Sequence, residues 1–174
     1  MPLSLHAAFV PSALQMLGTC DHLIDKAEGW CADTGGAPGE IIGARIYENM
    51  LPFSYQVKSV AAHTAGAIDG VRAGVFSPEL TPPPAGFAGL RAAIRKARQA
   101  LEAVSEDELE GLQDNPVRFV FGEASLPFTA GDFLLTFSQP NYYFHAATAY
   151  DILRMKGVAL SKRDFMGKLR LATG

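Results

Sequence analysis

The sequence predicts an all-α bundle of four long helices, with a small β-hairpin or extended insertion before the last one. Three observations lead there. Four stretches carry apolar residues at three- and four-residue steps, separated by short connectors that leave each apolar stripe to be buried against another helix. Between Asn115 and Thr129 the period shortens to two. Apolar residues make up 48% of the 174 residues, enough for a substantial core in one domain spanning residues 1–174.

The first helix is expected from about Ser4 to Asp33, where Leu14, Leu17, Ile24 and Cys31 share a face and Asp21, Asp25, Lys26 and Glu28 supply polar positions. Pro11 either kinks it or begins its regular part, and the run Thr34-Gly35-Gly36-Ala37-Pro38-Gly39 stops it. A short helix from Glu40 to Asn49 follows, with Ile41, Ile42, Ile46 and Met50 on its apolar side. Pro52 suits the first turn of a second long helix reaching about Ala73. Gly66 and Gly70 inside it cost about 1 kcal/mol each, which points to a close helix crossing. The proline-rich connector Ser77–Pro84 leads to a third helix from Phe87 to Val104. Its Arg91, Arg95 and Arg98 read as a solvated face. Ser105 caps a further turn ending at Leu112.

Val117, Phe119 and Phe121 then alternate with Arg118 and Val120, the mark of a strand, and Gly122-Glu123 provides the turn. Thr129 and Asp132 form a capping-box-like start for the last helix, and Gly157 is its stop. Pro140 has no N–H to give the carbonyl of Thr136 and interrupts this helix. The basic tail that follows is expected to be anchored by Phe165. Arg154, Lys162, Arg163 and Asp164 are expected to pin it to the last helix, and His22 to pair with its neighbour Asp25.

Composition excludes several classes. A net charge of −3 with no strongly basic block argues against nucleic acid. No apolar run reaches the roughly 20 residues of a membrane helix. The N-terminus lacks the basic start and long apolar segment of a secretory signal, so the expected compartment is the cytoplasm. Cys20 and Cys31, eleven residues apart on one helix, are about 16 Å apart along its axis. Disulfide geometry needs Cα atoms within roughly 7 Å, so both are expected as free thiols. The sequence contains no H-E-x-x-H, H-x-x-x-H, G-x-S-x-G, C-x-x-C or G-x-G-x-x-G.

Two polar seams remain. On the last helix, Ser138, Asn141, His145 and Thr148 fall on one side by helical counting; on the second, Gln56, Ser59 and His63 do so. Polar residues beside a helix interruption suggest a pocket formed by Gln56, Ser59, His63, Asn141, His145 and Thr148. The simplest reading of His145 is a buried imidazole bonded to Asn141, Thr148 or a neighbouring helix. The sharper readings are a small-molecule pocket or a metal site.

Four stretches carry a family resemblance: Leu17 to Glu28 (L-G-T-C-D-H-L-I-D-K-A-E), Ala44 to Val57 (A-R-I-Y-E-N-M-L-P-F-S-Y-Q-V), Pro140 to Arg154 (P-N-Y-Y-F-H-A-A-T-A-Y-D-I-L-R) and Gly157 to Gly167 (G-V-A-L-S-K-R-D-F-M-G). Together they resemble a bacterial family of unknown function related to the DinB/YfiT-like four-helix bundles. The resemblance implies an all-α, DinB-like bundle, often a homodimer. It also implies a divalent metal held by one histidine of the second helix and two of the last, four apart. His63 matches the first ligand and His145 the second, but the third position is Ala149. Asp21 is the one carboxylate suggested as an oxygen donor in its place. Two functions follow as expectations. One is a homodimeric small-molecule-binding or stress-associated protein with a polar pocket around His145. The other is a metal-dependent hydrolase or thiol transferase with an incomplete histidine site at His63 and His145.

Overall fold

Ser4 opens the first helix, its Oγ accepting the Ala7 amide at 3.1 Å, which satisfies one of the N–H groups a helix start leaves free. In the computed structural model, which describes residues 3–172, α1 spans Leu5–Thr34 and runs through Pro11 to Gly35, whose φ of 71° ends it. The short α2 covers Pro38–Ile42 and stops at Gly43, a correction to the expected helix through Asn49. Gly39 and Gly43 disfavour a helix too short to sustain itself. Ile41 and Ile42 are buried, whereas Ile46 is exposed.

Pro52 precedes α3, Phe53–Ala73. After β1 (Val75–Phe76) come α4 (Phe87–Glu102) and α5 (Glu106–Leu112), the latter capped by Ser105 Oγ accepting the Glu108 amide at 3.2 Å. Strands β2 (Pro116–Phe121) and β3 (Ala124–Thr129) form the expected hairpin around Gly122, at φ 57°. The last long helical stretch has three parts: α6 (Ala130–Asp132), a π-helical turn over Phe133–Ser138, and α7 (Gln139–Met155). α8 covers Lys162–Met166. The long helices pack in a ring, α1 and α3 each lying against both α4 and α7. Leu17, Ile24, Ile68, Leu90, Ile94 and Ile152 are among the buried side chains this arrangement encloses. No helix among the described residues is long and apolar enough to cross a membrane.

The molecule is mostly helical but not all-α, because the hairpin belongs to a three-stranded sheet of order β1-β2-β3. β1 runs parallel to β2, with Phe76 beside Phe119; a two-residue strand has no periodicity to reveal it. Phe76, Phe119 and Phe128 of the sheet meet Phe133 and Phe137 of the π-helical turn, with ring centroids 4.7 Å apart for Phe119 and Phe137 and 5.3 Å for Phe76 and Phe133. The close approach expected at Gly66 and Gly70 is found only at Gly70, and against the sheet. A Cβ on Gly70 would stand 2.9 Å from Phe76 Cβ, whereas one on Gly66 would meet nothing nearer than 3.9 Å.

The interruption expected at Pro140 takes the form of the π-helical turn just before it. Side chains serve the carbonyls around it: Thr136 Oγ1 donates to Asp132 O at 2.6 Å, and Asn141 Nδ2 to Phe137 O at 2.7 Å. At the far end Gly157, at φ 88°, lets Val158 N–H reach Leu153 O at 3.0 Å.

The tail is fastened to α1 as well as to α7. Phe165 packs on Tyr150 of α7, ring centroids 6.0 Å apart, and Arg154 donates to Leu160 O. Asp164, however, bonds His22 of α1 at 2.8 Å, which corrects both the expected pinning to the last helix and the expected His22–Asp25 pair. Gln15 Nε2 and Thr19 Oγ1 add bonds to Met166 O and Phe165 O at 2.6 and 2.9 Å. Arg91 is likewise not a free solvated group: it pairs with Asp21, Asp25 and Glu28, tying α4 to α1.

Candidate functional site

The packing of α3 on α7 brings two histidines together. The rings of His63 and His145 lie 5.8 Å apart, inclined by only 18°. Gln56, two turns before His63, orients the second of them. Its Nε2 donates to Leu51 O at 2.8 Å, and a carbonyl can only accept, so the amide oxygen must face His145 Nδ1 at 2.7 Å. This network assigns the proton to Nδ1 of His145 and leaves Nε2 with its lone pair. Nδ1 of His63, by contrast, is buried without a hydrogen-bond partner.

Aromatic rings surround the pair. Phe76 and Phe137 lie 5.3 and 5.8 Å from His63, and Tyr55 and Phe144 lie 6.2 and 5.4 Å from His145. Burial disfavours the charged form, and both imidazoles are pushed down to about 4; at His63 the neighbouring His145 adds to the effect. At neutral pH this is an uncharged pair.

Beside His63 lies a crevice of about 20 Å³, bordered by Tyr55, Ser59, Phe76 and Pro78. That volume accommodates one water. The proline-rich connector lies over it, held by Lys58, whose Nζ donates to Glu79 O at 3.1 Å and Thr81 O at 2.6 Å. Lys58, Ala62 and Glu79 also border a larger groove of about 450 Å³ between α3 and α4, so the two spaces adjoin.

Of the six residues expected to form a pocket, Gln56, His63 and His145 come together and Ser59 lines the crevice. Asn141 and Thr148 instead donate to carbonyls of their own helical stretch, Phe137 O at 2.7 Å and Phe144 O at 2.8 Å. Ser138 is buried, its Oγ without a partner. Tyr55, Lys58 and Phe76 were not anticipated. Tyr55 and Lys58 flank the seam residues Gln56 and Ser59 in sequence, whereas Phe76 arrives through the cryptic strand β1.

Among the described residues no three His, Cys, Asp or Glu groups converge. Ala149, the position one turn after His145, is a buried methyl. Asp21 lies 3.7 Å from Arg91 on α4. Cys20 and Cys31 are buried free thiols, and burial pushes Cys20 up to about 12. Two imidazoles alone do not fill the four positions of a tetrahedral ion.

Against this geometry, the family model described as "Domain of unknown function (DUF1993)" matches residues 5–166. The chain belongs to this family. The DUF1993 chain also matches the crystal structure of a DinB family member protein from Shewanella denitrificans, with a TM-score of 0.82 and 22% identity over 98% of this chain and 96% of that one. At that identity the likeness concerns fold, and the fold is DinB-like. No curated protein matches this DUF1993 chain.

Proposed function

We propose that this chain is a four-helix-bundle protein that binds a small polar molecule at the His63–His145 pair, as a homodimer and without chemistry of its own. One observation carries the reading: a ring nitrogen of His63 lies buried and unpartnered beside a crevice. A buried polar atom without a partner is costly, and a ligand group supplying one hydrogen bond removes that cost. The crevice as it stands fits one water, so a larger ligand takes that place by displacing the connector that Lys58 holds down. Exposed Tyr47 and Leu51 in the loop before α3, and exposed Tyr143 and Phe144 on α7, supply apolar surface for a second copy. For the metal-dependent alternative, no third donor converges on His63 and His145 among the described residues.

The test is ¹⁵N NMR of the histidine rings during titration with ethylene glycol, acetamide and acetate. The expected result is that at least one of these probes saturably shifts the His63 nitrogens, and that its accompanying effect on the stacked His145 ring is lost in His63→Phe. Unmoved His63 signals with all three probes would end the proposal. Metal analysis of protein purified without chelator separates the alternative: stoichiometric metal that disappears in His145→Ala would favour it instead.

A further inference from the structure

A further concavity, about 620 Å³ in volume, lies between α1, α4 and the tail. It shares no lining residue with the His63 crevice. Four of the chain's 15 lysines and arginines border it (Arg98, Arg163, Lys168 and Arg170), in a molecule whose net charge is −3. Its one carboxylate, Asp164, is already occupied. Asp164 accepts from His22 at 2.8 Å and from the Ser161 amide and hydroxyl at 2.7 and 2.9 Å, bonds that hold its carboxyl well below the usual range.

The cations are correspondingly available. Arg98 spends Nε on Glu102 at 2.9 Å, a half-exposed pair of small energetic value. Arg163, Lys168 and Arg170 make no ion pair among the described residues. The floor is apolar, made by Pro11 and Leu14, and is kept open by Gly18. A glycine inside a helix costs about 1 kcal/mol relative to alanine, and no tight contact requires it here. The nearest atom to a Cβ on Gly18 would be an Arg98 guanidinium nitrogen, at 3.7 Å.

We propose that this groove binds a free amphipathic organic anion, a single-chain phosphate or carboxylate. Its apolar body lies on Pro11, Leu14 and Gly18, and its head is held by the four cations. The volume is in the range of small-molecule sites, and the charge is complementary to such a head group. Exposed Leu169 and Leu171 alternate with Lys168 and Arg170, so an anionic lipid surface is the competing occupant. The concave shape and the open floor at Gly18 favour the free molecule.

Calorimetric titration of the full chain with decyl phosphate below its micelle concentration tests this. One equivalent is expected to bind, with inorganic phosphate and decyltrimethylammonium each weaker by about tenfold or more. Arg163→Gln with Arg170→Gln should weaken decyl phosphate by about tenfold, while Gly18→Leu should block it at unchanged charge. The exposed arginine pair keeps the test valid if Gly18→Leu does not fold. The proposal is overturned by no binding of decyl phosphate, by equal binding of the cation, or by a normal affinity in the arginine double variant. Attachment to phosphatidylglycerol vesicles without uptake of decyl phosphate overturns it too. None of these outcomes bears on the His63 pair, whose test reads different nitrogens and different probes.

Discussion

Gln56 holds His145 in a single tautomer because its amide has only one way to face Leu51. Gln56→Leu removes the acceptor of one bond and the donor of the other, leaving His145 Nδ1–H and Leu51 O unpaired. The expected loss is about 1–3 kcal/mol, read from urea unfolding, with loss of the Nδ1–H tautomer in ¹⁵N spectra. The histidine pair also predicts a pH dependence. Both rings titrate near 4 in the folded protein and near 6.5 in an unfolded chain. Above that upper value both states are neutral and the pair contributes no slope. As pH falls through the window, the unfolded chain takes up protons that the folded one refuses, so stability declines and then levels off near the lower value. Unfolding midpoints measured from neutral pH downward should show this decline. His63→Phe combined with His145→Gln should flatten it; an unchanged decline would mean the rings are not buried as described.

At the scale of elements, two glycines on α3 make opposite predictions. Gly70→Ala gains helix propensity but drives a methyl into Phe76, the ring that packs on His63. Overpacking of this kind costs about 1–3 kcal/mol, so net destabilisation is expected. Gly66→Ala meets open space and should stabilise by up to about 1 kcal/mol. Chemical denaturation of the two variants side by side decides it, and equal effects would remove the tight α3–β1 contact. The tail gives a third case. Asp164 both closes the cap of α8 and bonds His22, so Asp164→Asn should increase amide exchange across residues 161–167 while leaving α1 protected.

For the whole molecule, the proposed homodimer predicts sedimentation as a dimer at micromolar concentration and as a monomer after Phe144→Glu; a monomer in the parent chain would refute it. Much of the architecture was legible because local signals and packing agree. The serine and threonine caps at Ser4, Ser105 and Thr129 stand where helices begin, and the alternation at Val117 and Phe119 marks a real strand. What was not legible depends on contacts distant in sequence: β1, seen only once β2 lies beside it, and the attachment of the tail to Gln15, Thr19 and His22. Within the site, helical counting put Asn141 and Thr148 on the His145 side, but such short side chains reach a carbonyl of the preceding turn first. Gln56 is long enough to span from α3 to α7. Ser138 closes the π-helical turn and is buried, its Oγ without a partner.

That widened turn has a consequence for descent as well as for folding. It accommodates one amino acid more than ordinary winding would, and each amino acid advances an α-helix by about 100°. Excising a single codon between Phe133 and Ser138 would therefore restore regular winding with everything downstream still in phase, whereas the same excision between Gln139 and Phe144 would swing the imidazole on α7 away from its glutamine. Loss of one amino acid should therefore be better tolerated within this widened loop than in the regular winding between it and the imidazole.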